Sequence, residues 1–231
     1  LYAIKELPSG VAEREYSLLE KIETLHLPSV SPVGYLSFQR GESDISILIT
    51  RFLDGALPYR MLFMNRGLKT YRKYLLDAIA GLLVQLHLAG VYWGDCSLSN
   101  TLFRRDAGTL QAYLVDAETA EFHPDRMSAP LRYHDLEIMG ENINGDLLDL
   151  QMRGELNRNQ ATIPIDNTGA YIRIRYLRLW DEITREDIIF PDEHYRIQDR
   201  IRALNELGFS VGNVELAKTE NGDQLRLRVI V

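Results

Sequence analysis

The sequence predicts an α+β chain, and three observations carry that reading. Short apolar runs with period-two alternation stand at both ends, at 1–7 and 224–231. Between them, 69–89 places Leu75, Ile79, Leu82, Leu83 and Leu86 on one helical face. The 231 residues are 45% hydrophobic, enough apolar material for one or two cores.

In order, LYAIKEL reads as a strand ending at Pro8-Ser9-Gly10, and 11–22 as a helix with Leu18, Leu19 and Ile22 on one face. Strands follow at 33–38 and 45–52, separated by the turn-rich RGESD, and Asp54-Gly55 ends the pattern. After a short apolar segment comes the helix 69–89, with Gly90 where a C-terminal cap glycine belongs. Residues 101–104 and 112–115 read as a hairpin around Asp106-Ala107-Gly108, and 132–150 has helical spacing. Residues 152–170 look like a linker. Beyond it, 171–183 is helical, Pro191-Asp192 opens another helix up to Gly208, and VELAKT and QLRLRVIV form a hairpin turned by Asn221-Gly222.

A net charge of -7 disfavours a general nucleic-acid binder. No apolar run approaches a membrane span and no signal-peptide pattern opens the chain. The single cysteine, Cys96, forms no internal disulfide, which suits a reducing, cytoplasmic setting. The chain begins at Leu1 and both ends read as strand interiors, so a piece of a longer protein is expected.

The stretch LHLAGVYWGDCSLSNTLFR at 86–104 carries the chemistry. Asp95 is followed five positions later by Asn100, and the apolar run AYLV further on ends in Asp116. One carboxylate to take a hydroxyl proton, with an amide and a second carboxylate to hold magnesium, is the minimal equipment for phosphoryl transfer.

Taken in order, these elements resemble the protein-kinase-like superfamily, entered at its third strand. Leu86-His87, Gly90-Val91, Asp95 and Asn100 match L-H-x-x-G-[IV]-x-x-x-D-x-x-x-x-N throughout. The loop D-C-S-L-S-N is similar to those of small atypical kinases, among them the RIO kinases and the bacterial lipopolysaccharide-core (Kdo/heptose) sugar kinases. The resemblance covers roughly residues 1–150.

It implies a two-lobe fold whose N-lobe is truncated at the third strand, hence without the glycine-rich loop. Asp95 would accept or orient the acceptor hydroxyl, and Asn100 and Asp116 would hold Mg²⁺. Lys5, in Ala3-Ile4-Lys5, would hold the phosphates of ATP, oriented by Glu15 with Glu13 as fallback. The backbone of Arg51 and Leu53 would face the adenine edge behind a gatekeeper Thr50, and Leu102 would form the adenine floor. Asp135, in RYHDLEI, would brace the catalytic loop.

The departures carry information too. H-R-D reads Trp93-Gly94-Asp95, so the arginine that receives an activation-loop phosphate is missing. D-F-G reads Asp116-Ala117-Glu118, and no A-P-E segment follows for docking a peptide.

Bland readings are preferred elsewhere. His87 is structural, Trp93 and Cys96 are packed, and His134, Asp135 and Glu137 match no metal-ligand spacing. Arg196, Arg200 and Arg202 interleave with Asp192, Glu193, Asp199 and Glu206 as a mixed-charge solvated face.

The expected organisation is a partial N-lobe at 1–53, a C-lobe with the catalytic loop at 54–155, and a small α+β accessory region at 156–231. The expected activity is Mg²⁺- and ATP-dependent phosphorylation of a hydroxyl on a non-peptide acceptor, a sugar or lipid-linked saccharide being favoured. Residues 1–231 alone, without the glycine-rich loop, are expected to bind ATP poorly. The alternative is a nucleotide-binding pseudokinase acting as scaffold or regulator, suggested by D-A-E and the short Lys5–Glu15 interval. Nucleic acid is disfavoured as a partner, and 156–231 is the segment open to a protein partner.

Overall fold

The computed structural model describes residues 1–63, 69–106, 109–125, 127–154, 156, 163–190, 192–207, 209, 211–218 and 225–230. The fold is α+β, as the sequence predicts, and the chain divides into two compact units at 1–174 and 175–231.

The first unit opens with strand β1 (Tyr2–Pro8), helix α1 (Val11–Thr24), and strands β2 (Pro32–Arg40) and β3 (Ser43–Arg51). The sheet is antiparallel in the order β1-β3-β2. Period-two alternation turns Ser46, Leu48 and Thr50 of β3 inward. Ser46 Oγ donates to the Pro8 carbonyl (2.6 Å) and accepts from Ala12 N–H (3.3 Å), seating the start of α1 on the sheet. The buried stripe of α1 is Ala12, Glu15, Leu19 and Ile22. Leu18, expected on that face, is only half-buried, because the stripe is rotated to bring Glu15 inward.

Strand β4 (Leu57–Pro58), helix α2 (Tyr59–Phe63) and helix α3 (Lys69–Leu88) follow. All five α3 residues expected to share a face are fully buried. Gly90 ends this helix at φ +80, its N–H bonded to the His87 carbonyl. Strand β5 (Val91–Tyr92) pairs with β8 (Glu121–Phe122), a small pairing that the alternation of the sequence did not indicate. Between them, β6 (Thr101–Asp106) and β7 (Thr109–Leu114) form the expected hairpin. Its turn residues 107–108 lie outside the described residues. Leu114 bonds through both its N–H and its carbonyl to the segment 28–30, which fixes the end of β7 near α1.

Helix α4 (Ala129–Met152) is capped by the Ser128 side chain. Within the expected linker, a 3-10 turn at Ile165–Asn167 leads into helix α5 (Thr168–Thr184), and Ile165 and Thr168 are buried. The Thr168 hydroxyl bonds back to the Pro164 carbonyl. Residues 155 and 157–162 of that linker lie outside the described residues.

In the second unit, β9 (Asp187–Ile189) adds to the hairpin of β10 (Asn213–Lys218) and β11 (Leu225–Ile230), in the order β10-β11-β9. Helix α6 (Tyr195–Glu206) starts later than Pro191-Asp192 because 187–189 is a strand and the Phe190 and Glu193 backbones close a turn. Pro191, Gly208 and the Asn221-Gly222 turn lie outside the described residues. Arg200 corrects the expected solvated face. It is buried and pairs with Glu182 and Asp187, while Arg196 and Arg202 pair with Glu193 and Asp199 on the surface. Among the described residues no helix is long and apolar enough to cross a membrane.

Candidate functional site

Two clusters in the first unit bring the chemically equipped residues together. The first forms where β1, α1 and the segment after β7 converge. Lys5 projects from the inward side of β1, and its Nζ lies 2.7 Å from Asp116 Oδ2, 3.1 Å from Glu15 Oε2 and 3.2 Å from Glu118 Oε2. Glu15 is fully buried on α1, and its other oxygen accepts from the Ala117 N–H at 3.0 Å. Arg14 donates to the Glu118 carbonyl at 3.0 Å. Glu15, and not Glu13, is the carboxylate at Lys5; Glu13 accepts from the Tyr35 hydroxyl.

Three carboxylates therefore share one ammonium, so the cluster carries more negative charge than Lys5 neutralises. Burial pulls the Lys5 pKa down, but the hydrogen bond to Asp116 and the charges of Glu15 and Asp116 outweigh it and leave it raised. Burial also raises Glu15, with Asp116 pushing the same way against the Ala117 N–H and Lys5.

The second cluster is the loop 93–100. Asp95 Oδ2 accepts from Asn100 Nδ2 at 2.8 Å, and the same amide bonds the Asp95 carbonyl at 3.0 Å. Asp95 Oδ1 accepts from Asn142 Nδ2, on α4, at 2.7 Å. Burial raises the Asp95 pKa and the charges of Asp116 and Glu118 add to it, while the two amides oppose the rise. The Ser97 hydroxyl accepts from Asn100 N–H, and Thr101 donates to the Ser97 carbonyl, so the loop closes on itself.

Helix α4 holds this loop from below. Asp135, fully buried, accepts from Trp93 N–H (2.9 Å) and Gly94 N–H (2.8 Å) and pairs with His87 Nε2 (2.9 Å). Asp146 accepts from the Ser99 N–H at 3.0 Å. Gly94 sits at φ +76, and a Cβ there would press on the Thr119 carbonyl and the Tyr92 ring. Backbone conformation and crowding thus select glycine where H-R-D has arginine.

Trp93 is fully buried, but it does more than pack. Its Nε1 donates to the Asp116 carbonyl at 2.9 Å, and its own carbonyl accepts from Thr119. It links the loop 93–100 to the segment that carries Asp116. Cys96 is buried beside Asp95, and burial pushes its thiol well up, away from reactivity.

The remaining sequence candidates lie on strands and their ends. Thr50 is buried near the end of β3; Arg51 is exposed and Leu53 half-buried just after it. Leu102 is half-buried on β6, on the opposite side from buried Thr101 and Phe103. Asn142, Asp146 and the pairing of Glu118 with Lys5 escaped the sequence reading. The signal was available in part, since 135, 142 and 146 share a helical face.

A comparison with family models matches residues 1–150 to the lipopolysaccharide kinase (Kdo/WaaP) family. Residues 178–231 match a domain of unknown function (DUF4032). No curated protein matches the chain.

Proposed function

We propose a function from one premise: the chain belongs to the lipopolysaccharide kinase (Kdo/WaaP) family. That family points to a kinase acting on a sugar. The finer reading is transfer of the γ-phosphate of ATP to a hydroxyl of a sugar or lipid-linked saccharide. The observation that carries it is the convergence of Glu15 and Asp116 on the Lys5 ammonium, with Asp95 near enough to feel the charge of Asp116.

In this reading Asp95 is the base. Its carboxylate is held by two neutral amides and its pKa is lifted, which suits taking a proton from a hydroxyl. Lys5, fixed by buried Glu15, presents its ammonium to phosphate oxygens. Arg51, Leu53 and Leu102 would line the adenine side. The donor set fits Mg²⁺: Asn100 and Asp116 offer hard oxygens, and the cluster has uncompensated negative charge. When bound, the ion supplies neutralisation of the phosphate charge.

A second reading, a nucleotide-binding pseudokinase, is favoured by one observation. Glu118 stands where D-F-G has glycine and occupies the Lys5 ammonium. ATP turnover by the full-length protein with Mg²⁺ and a deacylated lipopolysaccharide-core oligosaccharide separates the two. Turnover that falls by about 100-fold or more in Asp95→Asn supports the kinase. In the full-length protein, ATP-induced thermal stabilisation without turnover supports the pseudokinase, and no stabilisation by ATP overturns both.

A further inference from the structure

We propose that Asn142 is a positioning residue for the Asp95 carboxylate, acting from a polar face of α4 that serves as a template for the catalytic loop. The inference rests on reading Asp95 as the base and adds a residue to that site.

The geometry begins with the helix. Asn142 follows Asp135 by seven residues and Asp146 follows it by four. At 3.6 residues per turn these three side chains lie within about 40° of one another around the axis. All three are spent on the loop, in register with it. Asp135 takes the N–H groups of Trp93 and Gly94, Asn142 donates to Asp95, and Asp146 takes the N–H of Ser99.

Asn142 differs from the other two because its partner is the reactive side chain, not the backbone. Asn100 alone leaves the Asp95 carboxylate tethered by one oxygen, from within its own loop. The bond from Asn142 to the other oxygen comes from 47 residues away and fixes the plane of the group. A carboxylate offers about four lone-pair sites, so one site on each oxygen remains for a hydroxyl.

The chemistry of position 142 also follows. A lysine or arginine would orient Asp95 but neutralise it, weakening the base. An apolar residue would leave an oxygen unpaired in a half-buried place. A neutral amide orients without neutralising. The other charges near Asp95 are Asp116 and Glu118 after β7, both paired with Lys5 of β1, and Asp135 and Asp146 of α4, both committed to loop N–H groups. Asn142 and Asn100 are the two donors set against this negative field.

The test reads the contact and its consequence separately in the full-length protein. The side-chain amide NMR signals of Asn142, assigned by their loss in Asn142→Leu, are expected to shift in Asp95→Ala, which removes their acceptor. In turnover assays Asn142→Leu, which removes the donor at similar volume, is expected to lower kcat about tenfold and to leave KM for ATP unchanged. In an Asp95→Asn background, where no carboxylate is left to position, the same substitution is expected to have no further effect. Amide signals unmoved by Asp95→Ala, or an equal loss from Asn142→Leu in both backgrounds, overturn the proposal. Shifted amide signals in a protein with no ATP turnover support the coupling of Asn142 to Asp95 and overturn the kinase reading instead.

Discussion

His87 and Asp135 meet as a fully buried pair, Nε2 to Oδ2 at 2.9 Å, and the same carboxylate holds the backbone of Trp93 and Gly94. Removing the carboxylate takes an acceptor away from the Trp93 and Gly94 N–H groups and a partner away from His87 Nε2. Asp135→Ala is therefore expected to cost about 3–5 kcal/mol of folding free energy, read by equilibrium urea unfolding. Asp135→Asn, which keeps one acceptor oxygen, is expected to cost less.

Two glycine contacts give a stability prediction with an internal control. A Cβ on Gly169 would lie 2.8 Å from Gly140 Cα, whereas a Cβ on Gly140 would meet Gly169 Cα at 3.8 Å. The helices carrying them touch backbone to backbone, but the crowding is one-sided. Gly169→Ala is expected to lower the melting temperature. Gly140→Ala is expected to leave it level or raise it, since alanine favours a helix interior by roughly 1 kcal/mol. Equal effects would contradict the crossing geometry.

Arg200 supplies a prediction for the second unit. Its guanidinium is buried and reaches Glu182 through both the side chain and the carbonyl, with Asp187 on its other side. Lysine keeps the charge but not the planar fork. Arg200→Lys is expected to cost about 1–2 kcal/mol by thermal unfolding, although the net charge is unchanged. Arg202→Lys, on the exposed pair with Asp199, is expected to change nothing measurable.

The fold was legible where local pattern decides it. The apolar face of α3 is set by period, and its packing follows. Alternation also marked β1 and β3 as strands, but not their inward faces, since Ser46 and Thr50 are buried and Tyr2 and Ile4 exposed. Asp95, Asn100 and Asp116 were legible because loop and strand spacing is local. Asn142 and Asp146 were not, because a polar helical face reads as solvent-facing when its partner lies about 47 residues away. The same confusion placed Arg200 in solvent. Period reports that a face is polar, but not whether water or a loop covers it. Strand β9 and the β5–β8 pairing were too short to alternate visibly.

Glu118 offers a test opposite in sign to that at Asn142. Its charge is among those that raise the Asp95 pKa, and it also engages Lys5 at 3.2 Å. With Asp95 as the base of the proposed reaction, only its ionised form is active, so turnover is expected to fall as pH drops through the Asp95 pKa. Glu118→Gln removes one negative charge near Asp95, which makes its carboxylate easier to ionise. The acidic limb of kcat/KM is expected to move down by a few tenths of a pH unit, on the order of a partly screened charge pair. Below the limb the variant is then faster than the parent, while Asn142→Leu is slower. Loss of the carboxylate also frees Lys5 from one competitor, so KM for ATP is expected to fall about two- to fivefold. A limb that moves up, or one that stays fixed while Asp95 titrates normally, would place the rate-controlling ionisation on a group other than Asp95.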